Sequence, residues 1–432
     1  YDNPYWVANN INYKDNFNRV IGNVKLDALV TNWLSFTFKV GTDWYTSQTT
    51  QYFAPNSNAS PAGYYDKTQA FSQDIVSDIY ANINKTFQDF EVKLMLGQEL
   101  YQRKSSDITG YVNSLLMPDW ENIRNTGTNK STESNYQKRV GSVFGELGLS
   151  YKSMIFLNFT GRMDKSTTLP EKNNSFFYPS TSLGFIFTEL NGLKDNTILS
   201  FGKLRASYAI IGRDAAAYAT TASFGVPTPA DGWVTYGLQY PYMGYAGFSM
   251  GNTLGSADLK PEKLQAVELG IDLKFLQNRL GLEFSYFNNR NKDLLLSVPI
   301  AASSGYSASY RNAGTMEIKG LEILLNVTPV QTKSLTWDLA FGFSNPHSKV
   351  IELYGDITDV NLGGFVDPQV HAYVDRSYRT IWGSQWLKDN NGNIIVDAAS
   401  GYPIAATPYG PVADYEEDFK FTVNNNLSFK GA

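Results

Sequence analysis

The chain of 432 residues contains no cysteine, so neither a disulfide framework nor a thiolate metal site can be built from it. Its only histidines are His347 and His371, which leaves a His-based zinc or iron site, or a histidine general base, with little support. Charge is sparse: Asp, Glu, Lys and Arg make up 18% of residues, against about 25% in ordinary globular domains. Basic residues number 36 and acidic ones 41, a net charge of −5, so there is no basic footprint for nucleic acid. No run approaches the ~18 consecutive apolar residues of a membrane helix, and mean hydropathy is only −0.29. That average speaks against helical spans alone, because a barrel strand is apolar at every second position and its hydropathy averages out.

What is present is alternation. In Leu264–Phe275 the residues Val267, Leu269, Ile271, Leu273 and Phe275 alternate with Glu268, Gly270, Asp272 and Lys274. After a break at Gln277–Asn278, Leu280, Leu282, Phe284 and Tyr286 alternate with Gly281, Glu283 and Ser285. A second pair follows: Leu321, Ile323, Leu325 and Val327, then Trp337, Leu339, Phe341 and Phe343, joined through Pro329–Lys333. Successive strand side chains point to opposite faces, so each segment has one oily and one polar face. Earlier in the chain the same pattern predicts hairpins over Val20–Ala28 and Leu34–Tyr45, and over Ile75–Ile83 and Phe90–Leu96 about a turn at Asn84–Asp89. A third spans Val143–Tyr151 and Met154–Arg162 about Lys152–Ser153. Tyr178–Phe187, Leu199–Gly212 and Asp418–Phe429 add strands, for about fourteen. Long irregular stretches near 46–70, 103–137, 213–258, 291–315 and 345–373 read as loops, with MPDW at Met117–Trp120 as a short folded element.

Alternation by itself leaves a transmembrane antiparallel β-barrel and a soluble all-β sandwich or lectin-like module about level. Two features favour the barrel. The hairpins have short turns at one end and long loops at the other, and Trp33, Phe90, Tyr151, Phe275 and Trp337 sit beside the short turns, where an aromatic girdle belongs. Aromatics are abundant throughout, with 28 Tyr, 26 Phe and 8 Trp.

Particular motifs also resemble a known family. LKPEK at Leu259–Lys263, ELGIDLKFLQNRLGLEFSYFN at Glu268–Asn288, SSGY at Ser303–Tyr306, RNAGTMEIKGLEI at Arg311–Ile323 and WDLAFGFS at Trp337–Ser344 resemble the SusC/RagA family of TonB-linked outer-membrane transporters. NPYW at Asn3–Trp6, Asp15–Leu29 and Trp382–Pro403 are similar to further parts of that barrel. The resemblance implies active import of a bulky nutrient, an oligosaccharide or a peptide, in the outer membrane of a Gram-negative bacterium. It implies a SusD-like surface lipoprotein as partner, membrane lipid and lipopolysaccharide around the barrel, and TonB acting through a plug. Barrels of this kind close with about 22 strands, so the chain is expected to supply the middle portion, without the plug and the last strands.

No catalytic residue, cofactor or metal site is expected. DNNGN at Asp389–Asn393 is faintly similar to a calcium loop, but Ser400 stands where the twelfth, acidic ligand belongs, and a plain Asn-Gly turn is the simpler account. Glu268, Asp272, Glu283 and Glu322 share the polar face of neighbouring strands. Read as paired carboxylates they would suit a glycosidase; read as barrel lining they hydrate the interior and contact the plug. The candidate substrate contacts are loop aromatics, Trp233, Tyr236, Tyr240, Tyr242 and Tyr245, whose flat rings suit sugar faces or apolar peptide side chains; the other reading is that they stack on each other, or on a partner protein, to order the loop. The alternatives are a siderophore- or cobalamin-type receptor, and a soluble β-sheet glycan-binding module or glycosidase.

Overall fold

A strand that alternates apolar and polar residues must pair its backbone on both sides, and the alternating segments of this chain do so as neighbours in sequence. The structure is a computed structural model that describes residues 2–127, 129–194, 196–226, 240 and 242–430. A short helix, α1 (Pro4–Asn10), is capped by Asn3, whose side chain accepts from the Tyr5 N–H at 2.8 Å. Among the described residues the large antiparallel sheet has fourteen strands. They are β1 (Ile11–Leu29), β2 (Leu34–Phe53), β3 (Tyr64–Phe87), β4 (Phe90–Val112), β5 (Lys130–Tyr151), β6 (Ile155–Ser166), β7 (Ser175–Ile186) and β8 (Leu199–Arg213). There follow β9 (Glu262–Phe275), β10 (Leu280–Lys292), β11 (Gly314–Gln331), β12 (Leu335–Ser344), β13 (His347–Leu353) and β14 (Lys420–Phe429). Pairing runs in order from β1 to β12 and then to β14, with β13 beside the upper part of β11. By internal contact the chain divides into two units.

The first unit comprises Tyr1–Ile83, Met95–Gly145 and Asp164–Thr168. Its register puts Val20 opposite Trp44, Val24 opposite Val40 and Leu26 opposite Phe38, with Phe38 next to Ile79. The other face carries Arg19, Asp27, Thr37, Asp43 and Asp74. The apolar face is open: Val24 is 64% exposed and Leu26 62%. Between β4 and β5 the MPDW stretch is folded around Asn125, which is wholly buried. Asn125 Oδ1 accepts from the Leu116 and Met117 N–H groups at 3.0 and 2.8 Å, and Nδ2 donates to the Met117 and Trp120 carbonyls at 2.7 and 2.8 Å. All its hydrogen-bonding capacity is used, which is what allows a buried amide to hold an irregular loop.

The second unit comprises Asn84–Leu94, Glu146–Met163 and Leu169–Ala432. Here Ile271 lies between Leu204 and Phe284, Phe284 is paired with Ile323, Ile323 with Phe343 and Phe343 with Phe421. One residue along, Asp272 lies between Lys203 and Glu283, and Ser285 is paired with Glu322. In the middle of the sheet one face is thus apolar and the other largely polar. Rings extend the apolar rows, as in the stack of Phe343 on Phe419 at 5.9 Å.

Among the described residues neither unit buries its apolar face beneath a second sheet. The buried apolar clusters of the described residues lie instead at the long-loop end: Tyr52, Ala54 and Tyr65 in the first unit, and Leu169, Ala215, Ala219 and Leu259 in the second. Val350, Leu353, Val360 and Ala372 form another in the second. A soluble sandwich needs a core about 10 Å thick between two inner faces; this sheet leaves that face bare. Among the described residues no helix is long and apolar enough to cross a membrane.

Several expected boundaries are corrected. The loops expected at 46–70 and 103–137 shrink to 54–63 and 113–129, because Thr46–Phe53 pairs with Tyr64–Phe71 and β4 and β5 reach Val112 and Lys130. Their polar residues carry no periodic signal, so the ladder continues where the alternation stops. Within 291–315 a hairpin forms from Leu295–Pro299 and Ala308–Asn312. Within 345–373, β13 continues the line of β12, and Asp359–Gly364 and Gln369–Tyr373 join Thr380–Gly383 and Gly410–Asp414 in a four-stranded loop sheet. The turn expected over Asn84–Asp89 narrows to Gln88–Asp89, with Gln88 at φ 54°. Pro329 falls at a register shift between Val327 and Val330, where a residue without an N–H is tolerated. Lys152 and Ser153, both in the left-handed region at φ 51° and 52°, do form the tight turn expected there.

The face assignment has a measurable consequence. Ile323→Arg is expected to cost about 2–4 kcal/mol if it meets lipid near mid-membrane, whereas Glu322→Gln leaves assembly nearly unchanged. Heat-modifiable gel mobility of the refolded protein reads both, and an unperturbed Ile323→Arg variant would reverse the assignment of faces.

Candidate functional site: the polar face and its loops

The polar face of the second unit is organised around Arg205 on β8, which alternates with Leu204 and Ala206 and so projects with Lys203 and Ser207. Its Nη1 donates to Glu268 Oε1 at 2.6 Å, its Nε to Asp272 Oδ1 at 3.0 Å and its Nη2 to Ser285 Oγ at 2.7 Å. Three partners on two neighbouring strands use the planar fork of a guanidinium in a way an ammonium cannot copy. Gly270 lies directly opposite Arg205, and a Cβ there would stand 2.8 Å from the guanidinium carbon. The missing side chain is what lets Arg205 lie across the sheet. A cavity of about 510 Å³ is lined by Glu91, Lys93, Glu146, Asn158, Lys203 and Arg205. One of about 360 Å³ is lined by Glu268, Glu283, Ser285, Glu322 and Lys420, again with Arg205.

The four carboxylates singled out in the sequence are thus on one face, but not as a bare acidic pair. Glu268 and Asp272 are engaged by Arg205, and Asp272 sits opposite Glu283 in register. The sequence reading missed Arg205 itself. Its signal was available in KLRASY, where Lys203, Arg205 and Ser207 occupy the polar phase of the strand.

A similar arrangement occurs on the polar face of the first unit. Asp43 and Asp74 lie directly opposite each other, a like-charge pair that by itself is destabilising. Each has its own arginine. Arg19 donates to Asp43 through Nε at 2.8 Å and through Nη2. Arg103 donates to Asp74 through Nε at 2.7 Å and Nη2 at 2.5 Å, and the Tyr101 hydroxyl adds a third bond at 3.2 Å. Bidentate pairing fixes orientation as well as charge.

The loop aromatics are only partly in view. Trp233 and Tyr236 lie outside the described residues. Tyr242 and Tyr245 are exposed, and their backbones exchange two hydrogen bonds of 2.9 Å around Met243–Gly244. Tyr240 is half-buried. In the loop sheet His371 is buried, with Nδ1 2.6 Å from Asp359 Oδ2, Nε2 2.8 Å from Gln369 Oε1, and its ring stacked on Trp382 at 4.9 Å. Both ring nitrogens are engaged, so neither is free for a metal. Among the described residues no three His, Asp or Glu side chains gather in a way that could hold one.

DNNGN forms a turn closed by its own aspartate. Asp389 Oδ1 accepts from the Asn391 and Asn393 N–H groups at 2.9 and 2.8 Å, and Oδ2 from Asn393 Nδ2 at 3.0 Å. Asp397 likewise accepts from the Ser400 hydroxyl and N–H, both at 2.7 Å. These bonds hold both carboxyls below the usual carboxylate value, chiefly through the Asn393 side chain for Asp389 and the Ser400 hydroxyl for Asp397.

Two tests follow from this geometry. Arg205→Ala is expected to destabilise by about 1–2 kcal/mol in urea unfolding from micelles, low for charged hydrogen bonds because Glu268 is partly open to water. Arg205→Lys should recover only part of the loss. The two aspartates have lowered folded-state values, so their contribution is complete above about pH 4, the ordinary carboxylate value, and disappears as pH falls through the lowered ones. Amide protection at Asn391, Asn393 and Ser400 should therefore persist to about pH 4 and fail below it, and Asp389→Asn should abolish that acid dependence at Asn391 and Asn393.

Known proteins share this architecture. A family described as TonB dependent receptor-like, beta-barrel matches residues 1–425. TonB-dependent receptor SusC of Bacteroides thetaiotaomicron is 25% identical, covering 99% of this chain and 45% of its own. TonB-dependent receptor P3 of Formosa agariphila is 26% identical over 82% of this chain and 37% of its own. The chain thus spans less than half the length of these curated relatives. Among solved structures, the RagAB peptide transporter superposes with a TM-score of 0.79 at 16% identity, over 99% of this chain and 48% of that one. The siderophore receptor PiuA of Acinetobacter baumannii reaches 0.52 at 12% identity, over 96% and 58%. The relatives named are receptors and transporters rather than enzymes. A sheet with one open apolar face, polar rows laced by arginine, and a family match over nearly every residue agree, and the chain belongs to the TonB-dependent receptor β-barrel family, as a SusC/RagA-type member of the outer membrane of a Gram-negative bacterium.

Proposed function

We propose that the chain is barrel wall from a transporter that imports a bulky nutrient, an oligosaccharide or a peptide. It works with a SusD-like surface lipoprotein and draws energy from TonB through a plug. The observation that carries this reading is the similarity to SusC along 99% of the chain. The closer fold likeness to RagAB than to the siderophore receptor supports it over iron uptake. The relatives are more than twice as long, which leaves room for a plug and for the strands that complete a barrel. In this reading the polar face looks into the lumen, where Arg205, Glu283, Glu322 and Lys420 hydrate the interior and meet the plug. The loop aromatics Trp233, Tyr236, Tyr240, Tyr242 and Tyr245 are the proposed cargo contacts.

Deleting the gene and supplying single nutrients tests the proposal. Growth on one polymer or peptide mixture should fail while growth on its monomers continues, and a tagged protein should bring down a lipidated companion from detergent extracts. Dependence on chelated iron, with polymer growth intact, would replace this reading with a siderophore receptor.

A further inference from the structure

The polar face of the second unit changes character toward its long loops. Ile211 lies opposite Leu264, Leu264 opposite Asn291, and Asn291 opposite Met316. Leu264 is four residues from Glu268, so this row shares the face that carries Arg205. Apolar side chains therefore occupy a face that is ionic lower down. Together with Leu294, Leu295, Leu296, Ala216, Tyr310 and Tyr378 they line a cavity of about 640 Å³, within the usual size range of ligand sites, about 300–1,000 Å³.

The chemistry of the lining selects its occupant. Tyr310 packs against the buried cluster of Leu169, Ala215, Ala219 and Leu259, and Tyr378 against that of Val350 and Leu353. Apart from the charged groups, the remaining wall is leucine, isoleucine, methionine and alanine with one amide, Asn291, which offers no flat ring for a sugar face. A sugar placed there would strip water from hydroxyls that find few partners. Charge of both signs is present among the lining groups. Arg213, with its side chain 84% exposed, stands 3.9 Å from Glu262, and Glu262 is anchored by accepting from the Leu295 N–H at 2.7 Å. A mainly aliphatic lining beside one exposed cation, Arg213, and two carboxylates, Asp214 and Glu262, suits an aliphatic side chain carried on a chain that has both an amine and a carboxylate.

We propose that this cavity is a subsite for an aliphatic side chain of an oligopeptide cargo, whose charged groups meet Arg213 and Glu262. The proposal rests on the import reading above and names its cargo class.

The test uses the full-length transporter purified with its native partners, and calorimetry against two pentapeptide pools, one with leucine and one with serine fixed at the centre. A neutral oligosaccharide of similar length is the third ligand. The leucine pool should bind about 10–200-fold more tightly than the serine pool, the range an aliphatic pocket gives. Ala216→Phe, which fills the cavity from an exposed position, should erase that preference and leave the serine pool unchanged. Ala216→Leu should erase it in part, and serves if the larger residue impairs folding. Arg213→Glu should weaken both pools. Equal affinity for the two pools overturns the proposal, as does a preference that survives Ala216→Phe, the result expected if another segment of the full protein covers the cavity. Binding of the oligosaccharide alone overturns the cargo class while leaving import intact. Unimpaired uptake of every nutrient in the deletion strain would instead sink the import reading.

Discussion

Every level of this structure depends on the period of two along a strand, combined with the need to pair each backbone N–H and C=O. In water an unpaired edge group costs little, but in hydrocarbon it costs several kcal/mol. A segment that presents Ile271, Leu273 and Phe275 to an apolar medium must therefore find ladder partners on both sides. β8 and β10 supply them for β9 across nearly its whole length. Because the period is two, the same pairing that aligns Ile271 with Leu204 and Phe284 also aligns Asp272 with Lys203 and Glu283. The apolar exterior and the ionic face are one decision, not two. A one-residue slip would exchange them completely.

The polar face shows how like charges are kept side by side. Both units place carboxylates side by side, Asp43 opposite Asp74 and Asp272 opposite Glu283. In each case arginine is the counter-ion, and it reaches its partners by bidentate or branched bonds. Lysine on these strands makes single contacts, as Lys25 does with Asp27 at 3.0 Å, with both side chains half in solvent. The division follows from geometry. A guanidinium lying across the sheet can serve two strands through its planar fork, while an ammonium is a compact point charge whose three donors are not set in a fork.

Much of this was legible before any coordinates. Strand existence, the facing of Ile323 and Glu322, and the tight turn at Lys152–Ser153 follow from alternation, because each is a local property. Strand ends were not. TSQTTQ at Thr46–Gln51 alternates nothing, and its extended form is imposed by pairing with β3. The loop sheet was equally silent, since strands of four to six residues carry too few positions for a period, and their order is set by contacts such as His371 on Trp382. Arg205 could be read as belonging to the polar phase but not as the hub, because Glu268, Asp272 and Ser285 converge on it from 63 to 80 residues away. The apolar cavity was invisible for the same reason: Ile211, Leu264, Leu294 and Met316 belong to four separate segments, each unremarkable alone.

Asn125 gives the loop between β4 and β5 an internal anchor. One buried amide holds four backbone groups and fixes the path of the segment from within, while Leu116, Met117 and Trp120 point their side chains at solvent. Shape and display are thereby carried by different residues. Such a loop can exchange the side chains it shows to the outside and keep the same course, so its surface is free to drift while the scaffold beneath it stays fixed.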